Sequence, residues 1–220
     1  RVRRPTGVFI VLLGPDGSGK SSLAGPLAGV IAERLGGVSG SSFHWKPFRT
    51  RSRSDEGAVT APHARSPRSR TASRLFRLAH GAEFVLGSWL RIRPALIRGR
   101  PVVGERYWFA LGLDPLRYRL DTPVVPTIEC PALVESPELT LCLVADAEAL
   151  QQRKQEVPIE TTKRQTAALE AFARKHATAF RIDAARPFDE VFGRCERLVL
   201  ACLADRDERR YPPDTHRRRT

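Results

Sequence analysis

The stretch GPDGSGKSS, residues 14–22, lies between an apolar run, GVFIVLL (7–13), and a segment with helical spacing, LAGPLAGVIAERLGG (23–37), that stops at a glycine pair. It fits G-x-x-x-x-G-K-[ST], with Gly14, Gly19, Lys20 and Ser21 at the fixed places. Glycines let a backbone wrap an anion with its N–H groups turned inward. A helix that starts at the end of such a loop adds unpaired N–H groups and the positive end of its dipole. In this pattern the lysine reaches the β- and γ-phosphates and the serine hydroxyl ligates Mg²⁺, so Lys20 and Ser21 take those roles and Ser22 continues the helix. A solvated glycine turn is the competing reading. It does not explain why a buried strand precedes the stretch and a helix follows it.

The chain has 220 residues, enough for one α/β domain with a sizeable core. No apolar run is long enough to span a bilayer and no secretory leader is visible, so the expectation is a cytoplasmic protein. Cys130, Cys142, Cys195 and Cys202 show no metal spacing and read as reduced thiols. The net charge of +13 raises a nucleic-acid partner. Much of the excess sits at the ends, in RVRR (1–4) and RRYPPDTHRRRT (209–220), and arginine far outnumbers lysine, as an arginine-rich coding bias gives.

Working outward from the loop, residues 7–13 read as a buried first strand, 20–35 as a helix and VSGSSF (38–43) as a second strand. Residues 46–73 are rich in Arg, Ser and Pro and read as a mobile insertion. An RNA-binding segment is disfavoured there because no aromatic residues interleave the arginines, and a substrate-facing cover stays open. Residues 73–99 have helical spacing, with Pro94 ending or kinking a helix. Strands follow at 101–108, 138–146 and 180–184, and helices at 147–156, 161–177 and 187–206. Alternating strands and helices predict an α/β protein, a three-layer α/β/α fold around a parallel sheet of about five strands, which with the glycine loop and the resemblance given below becomes the expectation of a P-loop kinase fold. The domain runs over 1–206 and a basic tail over 207–220.

Ligands of such sheets bind beyond the carboxyl ends of the strands. GERYW (104–108) puts Glu105 there, to hold a Mg²⁺-bound water or take a proton from an attacking hydroxyl. Arg106 is placed to hold the acceptor's anionic group, with Tyr107 beside it. FHWKP (43–47) offers Trp45 to stack on an acceptor ring and His44 as base or donor. Arg153, with Lys154, Lys163 and Arg164, stands around QEVPIETT (155–162), a stretch that could cover the site and bring a cation to the transferring group.

In order and content these pieces resemble the thymidylate kinase family of P-loop nucleoside monophosphate kinases. GPDGSGKSSLAGPLA (14–28) is similar to that family's opening, VVGERYWF (102–109) to its strand ending in Asp-Arg-Tyr, PELTLCLVADAEALQQRKQE (137–156) to its later strand and the start of its lid, and FRIDAARPFDEVFGRC (180–195) to its last strand and helix. The resemblance implies that Gly14, Asp16, Gly17, Ser18, Gly19, Lys20, Ser21 and Ser22 bind ATP and Mg²⁺, that Glu105 and Arg106 stand at the Asp-Arg pair, and that Arg153 is a lid arginine. It implies deoxythymidine monophosphate as default acceptor, and a homodimer stays open. The departures lie on the acceptor side. Glu105 replaces Asp, as in deoxynucleoside kinases. FHWKP replaces an acidic and arginine-containing loop, and WFALGLDPLRYRL (108–120) replaces the polar helix that helps read thymine. A nucleoside or non-nucleotide acceptor therefore stays open. So does a nucleotide-binding regulator without acceptor.

Overall fold

The computed structural model describes residues 5–37, 39–44, 68–153 and 157–210. Five strands, β1 (Phe9–Leu13), β2 (Ser41–His44), β3 (Val102–Glu105), β4 (Leu139–Val144) and β5 (Ala179–Asp183), form one sheet. Their order is β2-β3-β1-β4-β5 and every pairing is parallel. The expected α/β architecture is thus the observed one. Strand β1 lies in the middle, which explains its unbroken apolar sequence: both of its faces are covered. Ile10 and Leu12 pack with Leu23, Leu27 and Ile31 of α1 (Lys20–Arg34) and with Val199 of α7 (Phe188–Arg210). Phe9, Val11 and Leu13 pack on the other face with Phe84 of α2 (Arg70–Gly87), Tyr107, Phe109 and Phe172 of α6 (Ile159–Lys175).

Helix α2 begins inside the stretch expected to be mobile, because Ser69 Oγ accepts a hydrogen bond from the Ala72 N–H and caps it. Residues 46–67 of that insertion lie outside the described residues. Pro94 does not end the helix. A π-helical turn over Ser88–Ile92 carries α2 into α3 (Arg93–Ile97). A proline ring displaces the carbonyl of the turn before it, and a wider turn makes room. A short helix α4 (Ala110–Leu113) and a 3₁₀ turn (Pro115–Tyr118) follow β3. Helix α5 (Ala147–Arg153) follows β4, and residues 154–156 lie outside the described ones. Helix α7 runs on to Arg210, so the expected tail from residue 207 is helical at its start. The Arg206 guanidinium holds that last part to the body by donating to the Gly7 carbonyl at 2.9 Å.

Among the described residues, no helix is long and apolar enough to cross a membrane. All four cysteines are free, with Cys142 and Cys195 buried. Burial pushes their thiols up to about 12 and about 11.

Candidate active site

The site assembles where β1, β3 and β2 end together. Leu12 pairs with Glu105, and Glu105 with His44, so the carboxyl ends of these strands lie side by side. The turn after β1 is the glycine loop. A Cβ on Gly14 would stand 2.4 Å from Ser18 Oγ and 2.9 Å from the Leu143 carbonyl oxygen, so only glycine fits between the loop and β4. Gly17 and Gly19 have φ of 82° and 84°, in the left-handed region. Gly19 is also the residue before α1 and caps it with no side chain. The N–H groups of the first helical turn thus face the loop without an intrahelical partner. The loop expected to form a cradle thus combines left-handed glycines with a helix start that no side chain caps.

Lys20 lies folded back across this loop and is 5 % exposed. Its Nζ donates to the Pro15 carbonyl at 2.6 Å and to Ser18 Oγ at 3.3 Å. Burial, and then the positive charge of Arg106, push its ammonium down to about 7. The Ser21 hydroxyl donates to Glu105 Oε2 at 2.8 Å. The two residues expected to meet Mg²⁺ are therefore in contact, and Glu105 is 7 % exposed. One carboxylate and one hydroxyl beside the glycine loop suit Mg²⁺, which keeps several waters and takes phosphate oxygens as ligands where they are offered. Among the described residues no group of three or more His, Cys, Asp or Glu could hold a metal by itself.

Arg106 follows Glu105 with φ of 52°, a left-handed conformation that costs a non-glycine residue free energy. Its N–H bonds the Leu12 carbonyl at 3.2 Å. This bend turns the guanidinium toward the glycine loop, where Nη2 donates to Asp16 Oδ1. Arg117 of the 3₁₀ turn donates to Asp16 Oδ2 at 2.9 Å. Burial raises the Asp16 carboxyl, but Arg106, Arg117 and Lys20 together outweigh it and hold it down at about 2. Asp16 thus bridges the glycine loop to two arginines of the neighbouring strand's turn.

Tyr107 differs from expectation. It is 0 % exposed, its ring meets Phe9 and Phe84 edge-on, and its hydroxyl lies 3.0 Å from Ser88 Oγ. Burial raises its hydroxyl pKa well above the usual range. Its side chain lies in the core and anchors the turn that presents Arg106. Trp45 lies outside the described residues, as does the side chain of His44. Arg153 is not in the Asp16–Arg106–Glu105 group. Its guanidinium donates to the Ala184 carbonyl at 2.6 Å and the Ala185 carbonyl at 3.3 Å, beyond β5. There it lines a cleft of about 450 Å³ with Ser18, Gly19, Ser22, Pro187 and Phe188. Lys163, another cation of the expected cover, is exposed and pairs with Glu148 at 3.5 Å and Glu160 at 3.7 Å.

Two residues of the site were not singled out in the sequence. Arg117 lies in WFALGLDPLRYRL (108–120), which stood out in the sequence only as replacing the polar helix of the thymidylate kinase family. Gln165 of α6 is buried against Asp114, and no local pattern marks it.

No family model matches the chain, and no curated protein matches it in sequence. Its fold is similar to the crystal structure of thymidylate kinase from Ehrlichia chaffeensis, with a TM-score of 0.56 and 16 % identity. The similarity covers 89 % of this chain and 100 % of the other. The chain has a thymidylate kinase-like P-loop α/β fold.

Proposed function

We propose that this chain is an ATP-dependent phosphotransferase that uses Mg²⁺, with deoxythymidine monophosphate as the default acceptor. The observation that carries the reading is the contact of Ser21 with Glu105 at the mouth of the glycine loop. A nucleotide-binding loop alone fits a regulator. A carboxylate brought from another strand onto the Mg²⁺-ligating serine fits a reacting centre.

In this reading the ATP phosphates occupy the loop from Gly14 to Ser22, on the backbone N–H groups of Gly17, Ser18, Gly19, Lys20 and Ser21. The cleft beside Arg153, Pro187 and Phe188 receives the base and ribose, at a size suited to them. Mg²⁺, when bound, neutralises charge on the β- and γ-phosphates. Ser21 and Glu105 would hold it, Ser21 directly and Glu105 directly or through water. Lys20 leaves the Pro15 carbonyl for the phosphates and follows the charge as it shifts toward the leaving oxygen. An acceptor oxygen bonds to the γ-phosphorus while the bond from that phosphorus to the β–γ bridging oxygen breaks, and ADP carries the electron pair away. If the acceptor oxygen is a hydroxyl, its proton passes to Glu105. If it is already an anionic phosphate oxygen, no proton moves. Arg106 aligns the acceptor.

The test is ADP release from Mg²⁺-ATP with deoxythymidine monophosphate, other nucleoside monophosphates, nucleosides and simple sugars as acceptors. The reading expects at least one of them to stimulate release, and Lys20→Ala to remove most of that stimulation. Stimulation by none of them, with ATP still bound, would leave the regulator.

A further inference from the structure

Helix α2 and the π-helical turn after it carry a face that the phosphotransferase reading does not use. Leu75, Leu78, Ala82, Leu86 and Trp89 follow one another at steps of three and four, which sets them on one side of the helix. All five are exposed, and the leucines of this surface, with Leu90 of the π-helical turn, are between 49 % and 71 % exposed. The core side of the same helix is a different one, where Phe84 and Gly87 are buried. A lone exposed leucine is ordinary, but a continuous row about 20 Å long is not. Trp89 ends the row. Its indole N–H donates to the carbonyl of Leu133, an exposed residue that extends the apolar surface. A second row runs beside the first. Arg70, Arg74 and Arg77, at steps of four and three, are exposed on α2, as is Arg91 in the π-helical turn. From Arg68 to Arg98 the sequence holds one carboxylate, Glu83, which is bonded to His80 Nδ1 at 2.7 Å. Arginines in the first turns of a helix oppose its dipole, so this row costs α2 stability and calls for an anion outside it.

We infer that the outer face of α2 docks on an anionic lipid surface. The leucines and Trp89 enter the boundary between headgroups and acyl chains, and Arg70, Arg74, Arg77 and Arg91 meet lipid phosphates. Leucine and tryptophan on one side of a helix with arginine beside them is the pattern of a helix that lies in a membrane interface without crossing it. Tryptophan favours that depth. Charge complementarity selects this occupant over two others. A nucleic acid offers phosphates to the arginines but leaves the leucines in water. A second copy of the chain covers the leucines with its own but brings no free carboxylate of α2 to either arginine row. A lipid surface satisfies both rows. The inference does not depend on the phosphotransferase reading. Arg68, next to the Ser69 cap, donates its backbone N–H to the Arg119 carbonyl at 2.9 Å, close in sequence to Arg117. The docking helix thus starts beside the candidate active site.

Flotation of the whole chain with two kinds of vesicle tests this, one of phosphatidylcholine alone and one of phosphatidylcholine mixed with phosphatidylglycerol. Wild type should bind the anionic vesicles about tenfold or more tightly than the neutral ones, and high salt should remove the preference. Arg74→Gln combined with Arg77→Gln should weaken binding to the anionic vesicles about tenfold. Leu78→Gln combined with Leu86→Gln should weaken it about tenfold or more. These four side chains are exposed, so both variants should melt with wild type in circular dichroism. Tryptophan fluorescence should shift to the blue when wild type meets anionic vesicles, and Trp89→Phe should remove most of that shift. Wild type that binds neither vesicle, or binds both equally, overturns the proposal. So does binding that either double variant retains, or a blue shift that Trp89→Phe retains. A wild-type dimer in sedimentation velocity that Leu78→Gln with Leu86→Gln splits into monomers would give the face to a second copy and overturn it as well.

Discussion

Ser21 and Glu105 stand 84 residues apart in sequence, and their side chains meet at 2.8 Å. In the proposed reaction that contact would make Glu105 a partner of the metal and the reacting oxygen more than of the bound nucleotide. Glu105→Gln should therefore lower turnover about a hundredfold or more while the dissociation constant for ATP moves less than about threefold. Steady-state rates beside equilibrium binding check this, and equal losses in both would assign Glu105 a structural role. Lys20 gives a second prediction. Its ammonium is pushed from 10.5 to about 7 in the folded chain, so between those values the folded state binds fewer protons than the unfolded one. That contribution raises stability as pH climbs from about 7. Bound phosphates favour the charged form and reverse the shift. Nucleotide binding at pH 8 should therefore take up a proton, and affinity should fall as pH rises through this window. Calorimetry in two buffers of different ionisation enthalpy measures the uptake, which Lys20→Ala should abolish. Uptake that survives in the variant would assign the proton elsewhere.

At the scale of elements, the glycine loop is fixed by what its neighbours leave no room for. The Cβ of Gly14→Ala would press on the Leu143 carbonyl of β4, a backbone atom that cannot turn aside. The expected result is a loss of about 1–3 kcal/mol of stability together with ATP affinity. Gly29→Ala, on the exposed side of α1 with nothing within 4 Å of the new Cβ, should instead gain about 0.5–1 kcal/mol. Urea unfolding of the two variants compares them, and similar effects would mean that the loop is not tightly set. These elements were legible because each carries its own signal: the apolar run of β1, the glycines and the spacing of α1. Their ends were less so. The start of α2 depends on the Ser69 cap, and the passage through Pro94 depends on a wider turn, which apolar spacing does not reveal. Helix α7 outlasts its apolar pattern because Arg206 and Arg210 bond to the Gly7 and Pro5 carbonyls, contacts made across the whole chain.

For the whole molecule, alternation of strands and helices gave the parallel sheet, and the sheet gave the place of the site. Which side chains meet there was only half legible. The glycine-loop motif selected Lys20 and Ser21, and position at the carboxyl end of β3 selected Glu105 and Arg106. Tyr107 shares that position but turns into the core, because the left-handed bend at Arg106 sends the two side chains in opposite directions. Arg117 and Gln165 reach the site through packing across 101 and 51 residues, to Asp16 and Asp114, and such packing leaves no local trace. The glycine loop is thus written in a motif, and the contacts of Arg117 and Gln165 only in the tertiary structure. The central claim is that the γ-phosphoryl group of ATP leaves this site on an acceptor. Phosphorus NMR of Mg²⁺-ATP with the whole chain and deoxythymidine monophosphate, followed by the other acceptors in turn, tests it directly. The account predicts ADP together with a new phosphorylated acceptor, in equal amounts, and neither with Lys20→Ala. ATP that stays intact with every acceptor, or that yields only ADP and inorganic phosphate, would contradict it.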